Sequence, residues 1–250
     1  MSKFLLLAVL TLPVLAADVC NPRVFHGAYG FQLSGDTTIS GAAKPVASVG
    51  RLVFDETGGV SGYSSAHFAG YLLGNPTTGS YEAHTDCSIT WSLQDTSGAF
   101  QHFKGTMTPD ARRVQFRQTD PGGPGRGLLI RTPPACGAAA LQPRYRFTIS
   151  GSFIPMLPDQ QAHRVSANGT AEVRDGGILW LEFAGTPGAT EGTVEVDDDC
   201  VVQLELTLTS GDTMNLRGVL VDDGRQILAI QTDPGATVTA TFTAERAPNQ

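Results

Sequence analysis

Amphipathic helical periodicity is almost absent from this chain, which excludes helical bundles and the α/β folds that need helices to cover a parallel sheet. Charge is sparse: Asp, Glu, Lys and Arg make up 16 % of 250 residues, with 17 basic side chains against 24 acidic ones and a formal net charge of −7. No Lys- or Arg-rich cluster stands against that balance, so neither a nucleic acid nor an anionic membrane surface is an expected partner. After the first residues no apolar run is long enough to span a bilayer as a helix. Zincin, phosphate-loop and dinucleotide-binding spacings are missing, and Gly62-Tyr63-Ser64-Ser65-Ala66 fails as a nucleophile elbow at its last position. Cysteine is limited to 4 residues with no C-x-x-C pair, and the 5 histidines are scattered, so no metal and no cofactor is expected.

What the chain does have is one pattern written twice. Cys20 precedes Tyr29 by the same nine residues that separate Cys136 from Tyr145. Further on, an offset of 113 relates Asp86-Cys87 to Asp199-Cys200, Gly105 to Gly218, and Gln118-Thr119-Asp120-Pro121-Gly122 to Gln231-Thr232-Asp233-Pro234-Gly235. Solenoids repeat at shorter periods with more copies, so this reads as two tandem domains. Residues 1–17 read as a secretory signal: Lys3 at the start, an apolar stretch from Phe4 to Val14, and a small-residue cleavage site at Val14-Leu15-Ala16. The first domain is assigned to 18–132 and the second to 136–248, with Thr132-Pro133-Pro134-Ala135 as the connector, since paired prolines cannot continue a sheet ladder. The chain is expected to be secreted or periplasmic.

Four cysteines allow three pairings. Only Cys20 with Cys87 and Cys136 with Cys200 gives each copy its own equivalent bridge, and an exported chain favours disulfides over free thiols.

Strand patterning is plain. Val202, Leu204, Leu206 and Leu208 share one face while Gln203, Glu205 and Thr207 share the other, and Ile89, Trp91 and Leu93 alternate likewise with Thr90 and Ser92. Turn chemistry interrupts such runs at short intervals, as in Thr57-Gly58-Gly59, Ser210-Gly211-Asp212 and Asp222-Asp223-Gly224. The expected fold is all-β, with about seven or eight strands per copy. An antiparallel meander of that size protects its edges and apolar face by closing, so two up-and-down β-barrels are predicted, with a sandwich as the alternative. In the second copy Ile227 and Ala229 alternate with Leu228 and Ile230, leaving one strand apolar on both faces. Leu228 and Ile230 are therefore assigned to the contact between domains.

The order of Cys20, Gly27-Ala28-Tyr29-Gly30-Phe31, Gly58-Gly59, Gly79-Ser80-Tyr81-Glu82, Asp86-Cys87 and Thr119-Asp120-Pro121-Gly122, with a second set from Cys136 onward, resembles a family of uncharacterised exported bacterial β-barrel proteins. The resemblance covers nearly the whole mature chain and implies no activity. Architecturally it is similar to lipocalin-like and allene-oxide-cyclase-like barrels, an analogy of fold alone.

Catalytic candidates are weak. His84, Asp86 and Ser88 alternate along a strand, but side chains two residues apart sit about 7 Å apart along the strand, long for a hydrogen-bonded relay. No catalytic residue is assigned. Asp197-Asp198-Asp199 reads as a solvated hairpin edge rather than a calcium site, and Asp120 and Asp233 as turn builders. Binding is the favoured class, because a barrel of about eight strands can hold one small ligand. Aromatic candidates for lining such a site are Tyr63, Tyr71, Trp91, Trp180 and Phe183; Trp180 is out of phase with Leu179 and Leu181, which places it on an exposed face or between domains. The order of expectation is an exported non-catalytic protein binding a small apolar or amphipathic ligand, then an envelope or extracellular protein-interaction module, then an isomerase or cyclase acting inside a barrel.

Overall fold

The computed structural model describes residues 19–39, 42–68, 70–96, 98, 100–156 and 161–245. The proposed signal at 1–17 lies outside the described residues. Strands β1 (Gly27–Ile39), β2 (Ala42–Phe54), β3 (Gly59–Phe68), β4 (Tyr71–Ala83), β5 (Ser88–Asp95), β6 (Phe100–Met107), β7 (Arg113–Gln118) and β8 (Arg126–Arg131) pair in sequence order. β8 then closes antiparallel onto β1, with Phe31 opposite Leu129. Strands β9 (Arg144–Phe153), β10 (His163–Arg174), β11 (Ile178–Phe183), β12 (Ala189–Val196), β13 (Val201–Thr207), β14 (Thr213–Val221), β15 (Gln226–Gln231) and β16 (Ala236–Ala244) form a second closed barrel, sealed by β16 on β9. The chain is thus all-β with two antiparallel eight-stranded barrels, and closure removes the sheet edges.

Alternation decides what fills each barrel. Ile89, Trp91 and Leu93 point inward on β5, as do Val202, Leu204 and Leu206 on β13, and all are buried. The disulfides pair Cys20 with Cys87 and Cys136 with Cys200. They span 67 and 64 residues, loops for which a chain-entropy model gives about 4 kcal/mol each.

The first disulfide anchors a plug. Cys20 N–H donates to Thr85 O, a short 3-10 turn spans Pro22–Val24, and Phe25 enters the foot of the barrel fully buried. There it stacks on Tyr29 at 4.8 Å and meets Phe54 and Tyr81 edge-on. Tyr29 donates its hydroxyl to Ala111 O at 2.7 Å, and Tyr145 does the same to Gly224 O in the second barrel. Burial pushes both phenols up to about 12, so they stay neutral.

The barrels share a core. Val219, Val221, Leu228 and Ile230 lie on the outer face of the second barrel, yet are buried in one cluster with Ala47, Val49 and Ile130 of the first. Gln32 completes the junction, its Nε2 donating to Ala229 O at 2.8 Å and Ala240 O at 3.1 Å. Arg112 pairs with Asp222 and Asp223, and Arg51 lies 3.5 Å from Asp199.

The structure sharpens three sequence readings. Asp197 to Asp199 form the exposed turn of the β12–β13 hairpin, as expected of a solvated hairpin edge: Asp197 Oδ1 accepts the N–H groups of Asp199 and Val201, and Cys200 takes a left-handed φ of 64°. Asp120 and Asp233 bind across to a neighbouring strand, so they clamp strands rather than only shape their own turns. Of the two places expected for Trp180, it takes the outer face: it lies half-exposed on the outside of β11 beneath Arg174, whose guanidinium carbon is 4.5 Å from its ring.

Candidate ligand-binding cavity

The end of the first barrel opposite the plug is hollow. A cavity of about 310 Å³ occupies it, lined by inward-facing positions of β1 to β7. Phe31, with Leu93 beside it, forms the floor, backed by an aromatic layer in which Phe31 stacks on Phe116 at 5.2 Å and Trp91 on Phe103 at 5.1 Å. Above the floor runs a belt of small side chains, the polar Ser48, Ser64, Asn75 and Thr77 with Ala66 among them. The mouth is two-sided, with Val46, Phe68 and Leu73 on one side and Asp95, Gln101 and Gln118 on the other.

Strand length explains the hollow. β1, β2 and β4 have 13 residues each and β3 has 10, so their walls rise past the aromatic layer. In the second barrel β11 and β12 have only 6 and 8. Its inward positions carry bulk, with Phe147, Ile149, Leu206 and Phe242 buried, and Met214 stands where the first barrel has Gln101.

The repeated Thr-Asp-Pro-Gly segment positions one side of the mouth. Asp120 accepts His102 N–H at 2.7 Å, His102 Nδ1 at 2.7 Å and Gln118 Nε2 at 3.1 Å. Burial works upward on its carboxyl, but the His102 and Gln118 hydrogen bonds outweigh it and hold the group below the ordinary range. Asp233 makes the corresponding set with Asn215 and Gln231. Gln118 is thereby fixed in the cavity wall.

Two further features mark this end. Thr77 is buried and its hydroxyl has no hydrogen-bond partner among the described residues. Tyr71, Leu72, Leu73 and Phe100 are large apolar residues exposed around the mouth, Tyr71 by 63 %. Such a concentration is unusual for a surface that meets only water.

None of the five aromatic candidates lines the cavity. Tyr63 faces outward, with Arg217 of the second barrel 5.0 Å from its ring. Tyr71 stands exposed on the rim. Trp91 lies in the aromatic layer beneath the floor, Trp180 is outside the second barrel, and Phe183 packs on Phe147 at 5.2 Å. The usable signal was a different one: small polar residues at inward positions 48, 64, 75 and 77, where a filled barrel would carry aliphatic bulk.

Chemically the cavity can bind, and among its described lining residues there is one carboxylate, Asp95, and no histidine or cysteine. His84, Asp86 and Ser88 do not form a relay. Asp86 accepts Ser88 Oγ at 2.6 Å and Ser88 N–H at 2.9 Å, which lowers its pKa, while His84 Nε2 lies 4.0 Å from Glu82. Among the described residues no group of three His, Cys, Asp or Glu is placed to hold a metal ion, and no helix is long and apolar enough to cross a membrane.

No family model matches the chain, and no curated protein matches it. Among solved structures it is similar to transferrin-binding protein B of Haemophilus parasuis, at 8 % identity over 88 % of this chain and 77 % of that one, with a TM-score of 0.33. It also matches the Myxococcus xanthus hemagglutinin solved with a mannopentaose, at 11 % identity over 85 % of this chain and 98 % of that one, with a TM-score of 0.16. Scores this low carry nothing about function, and the two-barrel fold rests on the strand pairing itself.

Proposed function

We propose that this is an exported, non-catalytic binding protein, a duplicated two-barrel chain of the exported β-barrel type it resembles, whose first barrel holds a small amphipathic molecule. The cavity of about 310 Å³ above Phe31 carries this reading, since its volume falls at the lower end of small-ligand sites and its wall combines apolar surface with a few polar groups. The second barrel acts as a packed buttress. The interaction-module reading loses its main support, because the apolar outer face of the second barrel is already covered by the first. The isomerase reading lacks an acid–base pair beside the cavity.

Native mass spectrometry of oxidised protein taken from its own compartment tests the proposal. A bound mass at one per chain is expected, and Ala66→Trp, which fills the belt, should abolish it while leaving the circular dichroism unchanged. Ligand retained at full occupancy in Ala66→Trp would place binding elsewhere and sink the reading.

A further inference from the structure

The apolar rim is a surface in its own right, whether or not the cavity below it is filled. We propose that the mouth end of the first barrel docks on an uncharged phospholipid bilayer, with Tyr71, Leu72, Leu73 and Phe100 entering its interfacial layer.

Placement comes first. Tyr71, Leu72 and Leu73 open β4 and Phe100 opens β6, so all four stand where hairpins end at the mouth. Leu72 and Leu73 are consecutive and point to opposite faces of their strand, yet they are exposed by 43 % and 47 %. Both faces reach solvent only where a strand stands clear of its barrel. Charge comes second. The stretches that join strands at this end, residues 37–43, 69–74, 96–101 and 121–125, contain no Asp, Glu, Lys or Arg. Charge first appears at Asp36, Lys44, Asp95 and Arg126, within the strands, and at Asp120, which is held by His102 and Gln118. The opposite ends of the barrels are acidic: Asp55 and Glu56 follow β2, Asp86 precedes β5, Asp110 follows β6, and Asp222 and Asp223 follow β14. Those two feet lie together, since Asp222 N–H donates to Arg131 O, and the upper ends meet where Gly235 N–H donates to Gly70 O. The acidic turns thus face away from the rim, and an anionic lipid surface would repel the molecule where a neutral one would not. Area decides between lipid and protein. Four half-exposed side chains offer on the order of 400 Å², half of the roughly 800 Å² per partner that a stable protein interface buries. A lipid layer needs no matching surface, and aromatic rings beside leucines are the combination that settles at its boundary. Because the cavity opens within this patch, an amphipathic molecule could pass between bilayer and barrel without crossing water.

Flotation of the exported, oxidised protein with phosphatidylcholine vesicles tests this. The protein should rise with the vesicles, and a two-to-one mixture of phosphatidylcholine and phosphatidylglycerol should bind it less well, a loss that added salt reverses. Tyr71→Ser combined with Phe100→Ser should lower the partition coefficient at least about tenfold, because burying one aromatic ring shifts an equilibrium by roughly that factor. Both rings are exposed, so the fold should survive, which near-ultraviolet circular dichroism checks. Ile178→Ser removes an exposed apolar residue at the start of β11, away from the rim, and should change nothing. Protein that stays below the neutral vesicles overturns the proposal, as does equal flotation of the doubly substituted protein. Self-association without lipid that the same two substitutions disperse would assign the rim to a second copy instead. Flotation needs no ligand in the cavity, so its failure leaves the binding reading standing.

Discussion

His67 shows how one side chain ties the junction of the barrels to pH. It sits on β3, fully buried, facing Thr232 and Asp233 of the second barrel, and neither ring nitrogen has a hydrogen-bond partner of normal geometry among the described residues. Burial lowers its pKa from the ordinary 6.5, and this outweighs the opposing pull of the Thr232 backbone and the Asp233 carboxylate. The folded protein therefore keeps His67 neutral where the unfolded chain would protonate it. Above pH 6.5 both states are neutral and nothing is lost. As pH falls below that value the unfolded state gains the proton alone and stability declines, by at most about 1.4 kcal/mol per pH unit, until the folded pKa is reached. Asp55, Asp86 and Asp110, held low mainly by hydrogen bonds, lose their contribution only at more acid pH, so the two effects separate. Urea midpoints at pH 7.5 and pH 5.5 should differ for the unaltered protein, and His67→Leu should narrow the difference. An equal difference in both proteins would show that His67 does not set it.

Between elements, the repeated Asp residues act as cross-strand clamps. Asp120 ties the end of β7 to β6, and Asp233 ties the end of β15 to β14 through Asn215. Hydrogen bonds to a charged acceptor contribute roughly 1.5–3 kcal/mol, so Asp120→Ala and Asp233→Ala should each lower unfolding free energy by about that amount. Only Asp120→Ala should also weaken ligand binding, because it releases Gln118 in the cavity wall. Equal effects of the two variants on binding would contradict the assignment of the site to the first barrel.

The period-two pattern of strands such as β5 and β13, the closure of the meander and the pairing of Cys20 with Cys87 were all legible in the sequence, because each depends on local alternation or on symmetry between copies. The cavity was not legible. It arises from β1 to β4 rising above their aromatic layer, which depends on where strands end, and strand ends are set by pairing partners distant in sequence. Aromatic residues were the wrong guide for the same reason. Trp91 and Phe183 fill space against Phe103 and Phe147, whereas open space is left by Ser48, Ser64 and Ala66, whose small side chains draw no attention in a sequence.

At the scale of the whole molecule, the continuous cluster from Ala47 and Val49 through Leu228 and Ile230 implies that the barrels unfold as one cooperative body. Gly30 on the outer face of β1 is a tight point of that contact: a Cβ there would overlap Val221 Cγ1 and crowd Val219 Cγ1 at 3.1 Å. Those atoms belong to β14 and cannot retreat, because Val219 and Val221 are themselves buried. Gly30→Leu must therefore push the barrels apart rather than disturb either interior. The chain supplies its own reporters, since its 2 tryptophans are divided between the barrels, Trp91 in the first and Trp180 in the second. Urea unfolding followed by fluorescence in Trp180→Phe and in Trp91→Phe backgrounds should give coincident transitions when Gly30 is present. With Gly30→Leu the two transitions should separate, each barrel retaining its disulfide and its own core. Coincident transitions in both cases would mean that the backbone contacts joining the barrels, such as Asp222 N–H to Arg131 O and Gly235 N–H to Gly70 O, suffice to couple them without the apolar cluster.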